Sequence, residues 1–467
     1  MPTFSPHRAL DETAVAVTVG RLAAGAPGQA GLGLEYELFP LIASRDPRAD
    51  RSLPRRAPLA ATLARLADGR GPDVTRAEDG WWWADGDTAR LTFEPGAQLE
   101  LSTAYRSTPS AALAALDATL PDLAGRLAGA GIRLAAAGID VWAPGTVPQQ
   151  RTSDRYPAME AYFRRRSAAG PTMMRDTCSL QLNLDLDAGA EAVARWRVAN
   201  LLAPVAAATF ACSPGPSGHR RARRTEVWQR LDATRTGFVA HEGRLTDALT
   251  RYLMDADVLL VTDERGTRPG RPGWRFGDWV RDGDREVGWP TADDLDRHLT
   301  TLFPEVRPRG WLEIRSIDAV PPAWVAAVVA CYVGAVYEPR ARERIRELLD
   351  GRVATLRGRL VDAGRPGRLA DPGLRGQLAD AALRGVADPQ WCALAVEVWS
   401  YALEGAARLP ADQVPRWAVR RAETFLDRFT LRGRCPADDL HDQRRRDSWA
   451  ALTWAAVDAD ADREVNR

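Results

Sequence analysis

Lysine is missing from this chain: all 63 basic residues other than histidine are arginine. A P-loop sets a lysine on the phosphates it cradles, a protein kinase needs one on a strand, and a pyridoxal-phosphate enzyme needs one for its Schiff base, so all three chemistries are disfavoured together. Cysteine is scarce as well. The five (Cys178, Cys212, Cys331, Cys392, Cys435) are scattered and form no CxxC pair, which argues against a zinc ribbon, a thioredoxin-like site or a disulfide framework. Long apolar runs are also lacking. The longest, Ala323 to Tyr337, is shorter than the ~20 residues that span a bilayer and predicts a buried helix instead. The first residues carry no basic stretch followed by an apolar core, so no signal peptide is expected and a cytoplasmic location follows by default. Net charge is only +1. No global field favours nucleic acid or an anionic membrane, and neither is expected as a partner. Oligomeric state is left open.

What is present is ordinary for a globular protein, with 45% apolar and 27% charged residues. At roughly 150 residues per domain, the 467 residues allow about three units, or one large enzyme domain with an appendage. Patterning predicts strands at Gly33–Ile42, Arg90–Thr103 (paired about a turn at Pro95-Gly96), Ile132–Val141, Cys178–Asp187 and Trp311–Ser316. The Trp81-Trp82-Trp83 run reads as a strand edge or hairpin. Helices are predicted at Leu59–Leu66, Ser110–Ala130 with Thr108 or Ser110 as N-cap, Pro157–Arg166, Glu191–Phe210 and Thr291–Thr301. Residues 262–290, rich in Gly, Asp, Arg and Trp, read as a long surface loop. From about residue 339 the pattern is almost wholly helical, with breaks near Gly364–Gly376, Pro389 and Pro410.

Four strand segments share a face made of hydrogen-bond acceptors. Period-two alternation puts Glu35 and Glu37 on one side of their strand. Glu94, Gln98 and Glu100 share one parity, as do Gln181, Asn183 and Asp185, and Glu313 lies with Arg315. Any one segment is explained by a half-buried antiparallel strand with its polar side in water. Together they are harder to explain that way, because like charges facing each other across strands destabilise a sheet. Hard oxygen ligands select Mg²⁺ or Mn²⁺, and Mg²⁺ commonly bridges carboxylates to nucleotide phosphates, so the face reads as a platform for ATP. Arginines would close the other side, with Arg155, Arg224, Arg235 and Arg315 as candidates, since a planar fork pairs with carboxylate or phosphate at two points. The five histidines show no metal-ligand spacing, and Cys178, on the parity of Leu180, reads as packing.

These segments, in order, resemble the glutamate–cysteine ligase family of the plant and proteobacterial type, which includes the ergothioneine-pathway enzymes. The matching runs are Gly33-Leu34-Glu35-Tyr36-Glu37, Phe93 through Ser102, Arg155 to Met159, Met173-Met174, Thr177 through Asp185, Arg224 with Trp228, Leu231 to Gly237, and Leu299 to Arg307 running into Leu312–Arg315. They span roughly residues 30–340. The family usually has a second glycine where Ala97 stands. The run Arg315 to Ala319 looks more like the ergothioneine branch than the plant branch.

The resemblance implies an α+β fold like that of glutamine synthetase. In it a curved, largely antiparallel sheet forms a funnel-shaped active site surrounded by helices, with residues 1–338 as catalytic domain and 339–467 as a helical region packed on it. It also implies an ATP- and Mg²⁺-dependent ligase that makes γ-glutamylcysteine from L-glutamate and L-cysteine through a γ-glutamyl phosphate, for ergothioneine or a related thiol. In that frame Glu35, Glu37, Glu94, Glu100 and Glu313 are metal ligands, and Gln181 and Asn183 orient substrate or metal. Arg315 holds the transferred phosphoryl group, Arg224 and Arg235 bind substrate carboxylate or phosphate, and Arg155 joins the binding set. The nearest alternative keeps the chemistry and changes the amine.

Overall fold

The computed structural model describes residues 10–43, 54–67, 74–77, 80–83, 88–142, 144–145, 147–151, 153–216, 221–239, 243–362 and 372–445. Its strands are β1 (Leu32–Ala43), β2 (Pro54–Arg56), β3 (Val74–Ala77), β4 (Gly80–Trp83), β5 (Ala89–Phe93), β6 (Leu99–Thr103), β7 (Ile132–Ala135), β8 (Ser179–Asp185), β9 (Leu260–Asp263), β10 (Gly266–Pro269), β11 (Val306–Pro308) and β12 (Trp311–Asp318). The main sheet runs β11-β12-β8-β1-β6-β5-β4-β3 and is open, while β2 and β7 pair with the outer half of β1. Every named strand pair is antiparallel. The α+β class and the antiparallel sheet expected from the sequence are therefore found.

Alternation decides the sheet's two sides. Leu34, Tyr36, Leu38, Leu91, Leu99, Leu101, Leu180, Leu182, Leu184 and Ile314 are each 0–1% exposed. Burying one such side chain fully contributes about 1.5–3 kcal/mol, so a register slip that turned this face outward would be ruled out energetically. The helices Pro109–Ala128 and Gly189–Thr209 pack behind this face. Thr108 caps the first, its Oγ1 accepting from Ala111 N at 3.2 Å. Pro109 follows at a position where no N–H is needed.

The helical segment Val325–Tyr337 is buried throughout, as its apolar run predicts. It crosses Pro389–Arg408 closely: a Cβ on Gly334 would meet Ala402 O at 2.0 Å, and one on Gly405 would meet Gly334 O at 2.7 Å. Among the described residues no single helix is long and apolar enough to cross a membrane. The helices Pro389–Arg408 and Arg416–Arg428 leave the breaks expected at Pro389 and Pro410. Residues 364–371 of the other expected break, and the side chains of the Trp81–Trp83 run in β4, lie outside the described residues.

Two expectations are corrected. Residues 262–290 are not a long loop. They hold the β9–β10 hairpin and the helix Phe276–Asp282, whose Phe276, Trp279 and Val280 are buried. Local Gly and Asp content favoured a loop, and packing of those aromatics overrode it. The strand expected to reach Val141 ends at Ala135. Gly138 N donates to Cys212 O, and a Cβ on Gly138 would lie 2.4 Å from the Asp318 carboxyl carbon, so the chain leaves the sheet there.

Candidate active site

The second face of the sheet collects the acceptors. Glu37 stands opposite Glu100, Glu35 opposite Gln181, and Asn183 opposite Glu313 in the ladders of β1, β6, β8 and β12. Glu94 follows β5 in the turn to β6 and completes a cluster. One carboxylate oxygen from each of Glu37, Glu94 and Glu100 lies within 4.8 Å of the others. The hairpin turn that presents Glu94 is tight, with Ala97 N donating to Glu94 O at 2.9 Å. Ala97 takes φ 63°, the left-handed conformation usually left to glycine. The geometry persists where the family has its glycine, at a cost of about 1–2 kcal/mol.

The cluster is internally bonded. Glu37 accepts from Ser179 N at 2.7 Å and from Gln181 Nε2 at 3.2 Å, and Glu35 accepts from Asn183 Nδ2 at 2.9 Å. Thr92 Oγ1 donates to Glu100. Trp311 Nε1 donates to Asn183 Oδ1 at 2.9 Å. Gln98, expected on this face, instead donates its amide to Met174 O and Thr177 O, because the five-residue turn rotates it out of the strand's alternation.

The charges are poorly compensated. Burial, then Glu313 and Glu100, lift the Glu35 carboxyl to about 7. Burial also raises Glu37 against the opposing pull of Arg224 and Arg315. Glu94 is held well above the usual range by burial and the nearby Glu100 and Glu37, and Glu100 is raised by burial and Glu37. Three half-buried hard-oxygen donors at this spacing, each resisting ionisation, fit a divalent cation whose charge would relieve that crowding.

Glu313 differs from the other four. Burial works to raise it, but Arg307 and Arg315 overcome that and hold it at about 2. Arg307 donates to both its oxygens (Nη2 at 2.6 and 2.8 Å), Arg315 Nη1 donates to Oε1, and Arg309 Nη1 lies 3.4 Å from Oε2. The expected fifth metal ligand is thus the anion of an arginine cluster. Arg315 also donates to Gln181 Oε1 at 2.7 Å, and its guanidinium carbon lies 5.7 Å from the ring centres of both Trp228 and Phe303. Its charge acts on all five glutamates.

The other arginines divide. Arg224 borders the site: its Nη2 donates to Arg315 O at 3.0 Å, and its guanidinium carbon lies 5.9 Å from the Trp228 ring centre. Arg224 Nε and Trp228 Nε1 are buried donors with no partner among the described residues. Arg235 is fully buried one layer behind, donating to Asp232, Thr301 O and Asp257 O, and it does not reach the carboxylates. Arg155, at the start of the helix Arg155–Arg166, donates to Thr300 Oγ1 at 3.0 Å. Arg151, which no motif flagged, adds a positive field at Glu94.

The sequence profile of glutamate–cysteine ligase family 2 matches residues 32–458, which includes every residue named above. The chain belongs to that family. A glutamate–cysteine ligase EgtA of Mycolicibacterium smegmatis is 39% identical over 250 residues, 51% of this chain and 58% of its own length. The EgtA of Mycobacterium tuberculosis is 30% identical over 368 residues, 76% of each chain. Among solved structures, a Francisella tularensis glutamate–cysteine ligase in complex with AMP aligns over 90% of this chain and 86% of its own, with 13% identity and a TM-score of 0.47. The family match runs through the helices after Tyr337 as well, a stretch in which no recognisable motif stood out.

Proposed function

We propose that this chain is an ATP-dependent ligase that joins the γ-carboxylate of L-glutamate to the amine of L-cysteine. A carboxylate does not acylate an amine at neutral pH, because it has no leaving group. Phosphorylation by ATP supplies one: the γ-carboxylate oxygen attacks the γ-phosphorus, ADP departs, and a γ-glutamyl phosphate forms. The cysteine amine then attacks the acyl carbon, phosphate leaves with the bonding pair, and the amine gives up a proton. Mg²⁺ held by Glu37, Glu94 and Glu100, with Glu35 beside them, would neutralise charge building on the phosphates.

The residues of the chain have separable tasks in this reading. Arg315, beside the Trp228 and Phe303 rings, pairs with the transferred phosphoryl group. Glu313 and Arg307 keep its fork aimed. Arg224 and the free indole N–H of Trp228 offer donors to a substrate carboxylate, and Gln181 and Asn183 orient the glutamates. Arg235 is assigned to the wall behind the site and not to substrate. All of these lie before residue 338, and the helices after it pack on the helices Gly189–Thr209 and Val325–Tyr337. A cytoplasmic setting, where ATP is abundant, and a role in ergothioneine or related thiol synthesis belong to the same proposal. The run Arg315 to Ala319 and the EgtA relatives support the latter.

The half-buried glutamate cluster facing Arg315 is the observation that carries this reading. The test is purified protein with ATP, Mg²⁺ and glutamate, scanned against a set of amines, reading phosphate release and the product mass. Cysteine is expected to give the highest turnover and Glu37→Gln to abolish it. A far better amine would overturn the substrate assignment, and full activity in Glu37→Gln would overturn the site.

A further inference from the structure

The turn that carries Glu94 is held from outside the carboxylate cluster by one buried arginine. Arg56 lies on β2, whose backbone pairs Arg56 with Leu41 of β1, the strand that carries Glu35 and Glu37. Its Nη2 donates to Gly96 O inside the Glu94 turn. Its Nη1 donates to Asp140 Oδ2 at 3.1 Å and to Arg175 O at 3.3 Å. The guanidinium lies 4.4 Å from the Phe39 ring centre, and the Arg56 and Asp140 side chains are 2% and 0% exposed. One planar group therefore ties β1, the turn and two flanking segments together.

The turn needs such a clamp. Four of its five carbonyls are engaged: Glu94 O by Ala97 N, Pro95 O by Gln150 N at 2.7 Å, Gly96 O by Arg56, and Gln98 O by Glu94 N at 2.8 Å. Ala97 stores left-handed strain, and Glu94 is pushed away by Glu37 and Glu100. A strained turn carrying a repelled carboxylate persists only when its surroundings over-determine it. Gly96 is pressed against Arg175 O, where an added Cβ would come within 2.3 Å, so the turn has no room to retreat on that side.

We propose that Arg56 is a positioning residue for the divalent-cation site, acting through Gly96 O and Asp140 to hold Glu94 against Glu37 and Glu100. It touches neither substrate nor metal. The proposal rests on the reading of Glu94 as a metal ligand. Groups that orient a ligand from behind typically govern metal affinity by 10–100-fold.

Mn²⁺ binding to the full-length protein, followed by electron paramagnetic resonance of the free ion without nucleotide, tests it. Arg56→Gln is expected to weaken Mn²⁺ binding by roughly 10–100-fold, with Arg56→Lys in between because an ammonium cannot span Gly96 O and Asp140 together. Asp140→Asn, which keeps the side-chain shape, gives the same direction should Arg56→Gln fold poorly. Gly334→Ala, a packing lesion far from the turn, controls for instability and leaves the Mn²⁺ affinity unchanged. Glu94→Gln separates the two levels. If it binds Mn²⁺ as wild type does, the metal reading itself fails. If it binds weakly while Arg56→Gln and Asp140→Asn both match wild type, Arg56 is only structural and the proposal is overturned.

Discussion

Replacing Glu100 with glutamine should stabilise the metal-free protein while destroying its activity. Glu100 is half-buried beside Glu37 and Glu94, with oxygens of the three within 4.8 Å. Two unit charges at that distance repel by about 3.5 kcal/mol at an effective dielectric of 20, an upper bound while the groups share protons. Glutamine keeps the acceptor that Thr92 Oγ1 uses, so the neutral variant loses repulsion without leaving that hydroxyl unpaired. The sign with pH follows from the direction of the shifts. Glu35, Glu37, Glu94 and Glu100 all have carboxyls raised in the folded state. Their favourable contribution is complete below the ordinary glutamate pKa and is lost as pH rises through the folded values, which for Glu35 is about 7. The advantage of Glu100→Gln over wild type should therefore widen with rising pH, reaching about 1–3 kcal/mol, or about 2–6 °C in melting temperature, at mildly alkaline pH. Added Mg²⁺ should reverse the order, because a ligand that binds only the folded state stabilises it by an amount that grows with the logarithm of its affinity. Melting curves with and without Mg²⁺ across a pH series, beside a turnover assay, measure all of this. The reasoning fails if the variant melts below wild type without metal at every pH, or gains as much from Mg²⁺ as wild type.

Arg307→Met leaves Glu313 with Arg315 and Arg309 alone; breaking this buried pair should cost about 3 kcal/mol in denaturant unfolding and lower kcat by freeing Arg315 to swing. Ala97→Gly exchanges left-handed strain for backbone entropy of similar size and should change stability by less than about 1 kcal/mol with activity kept, whereas Ala97→Val should destabilise by more than that. Gly334→Ala forces a methyl against Ala402 O and should lower stability by about 1–3 kcal/mol in thermal unfolding. His298 is stacked on Phe276 at 4.2 Å, and burial holds its ring down at about 3. Its contribution is full above the ordinary histidine pKa and is lost as pH falls from there through the folded value of about 3, so His298→Gln should flatten the acid limb of the stability–pH curve.

The polar and apolar parities of β1, β6, β8 and β12 were legible in the sequence because strand alternation is local and strict. The same parity misplaced Gln98, since it presumed an unbroken strand where the chain turns. Glu313 shared its neighbours' residue type, yet Arg307 and Arg309 from the adjoining β11–β12 hairpin make it a counterion. Arg235 looked like a ligand-binding arginine within a recognisable run, and only packing shows that its donors are spent on Asp232 and on two carbonyls. Arg56 gave no signal at all, because its partners at Gly96, Asp140 and Arg175 are 40 to 119 residues away.

Residue order by itself determined the chemistry on offer: no lysine for a P-loop, carboxylates and amides in alternation, and arginines to oppose them. Tertiary structure decided which of those groups meet. Charge compensation, and the metal binding proposed above, depend on distances of a few ångström between strands far apart in the chain. Those distances are set by sheet register, by a strained turn and by buried arginines, none of which a local pattern encodes.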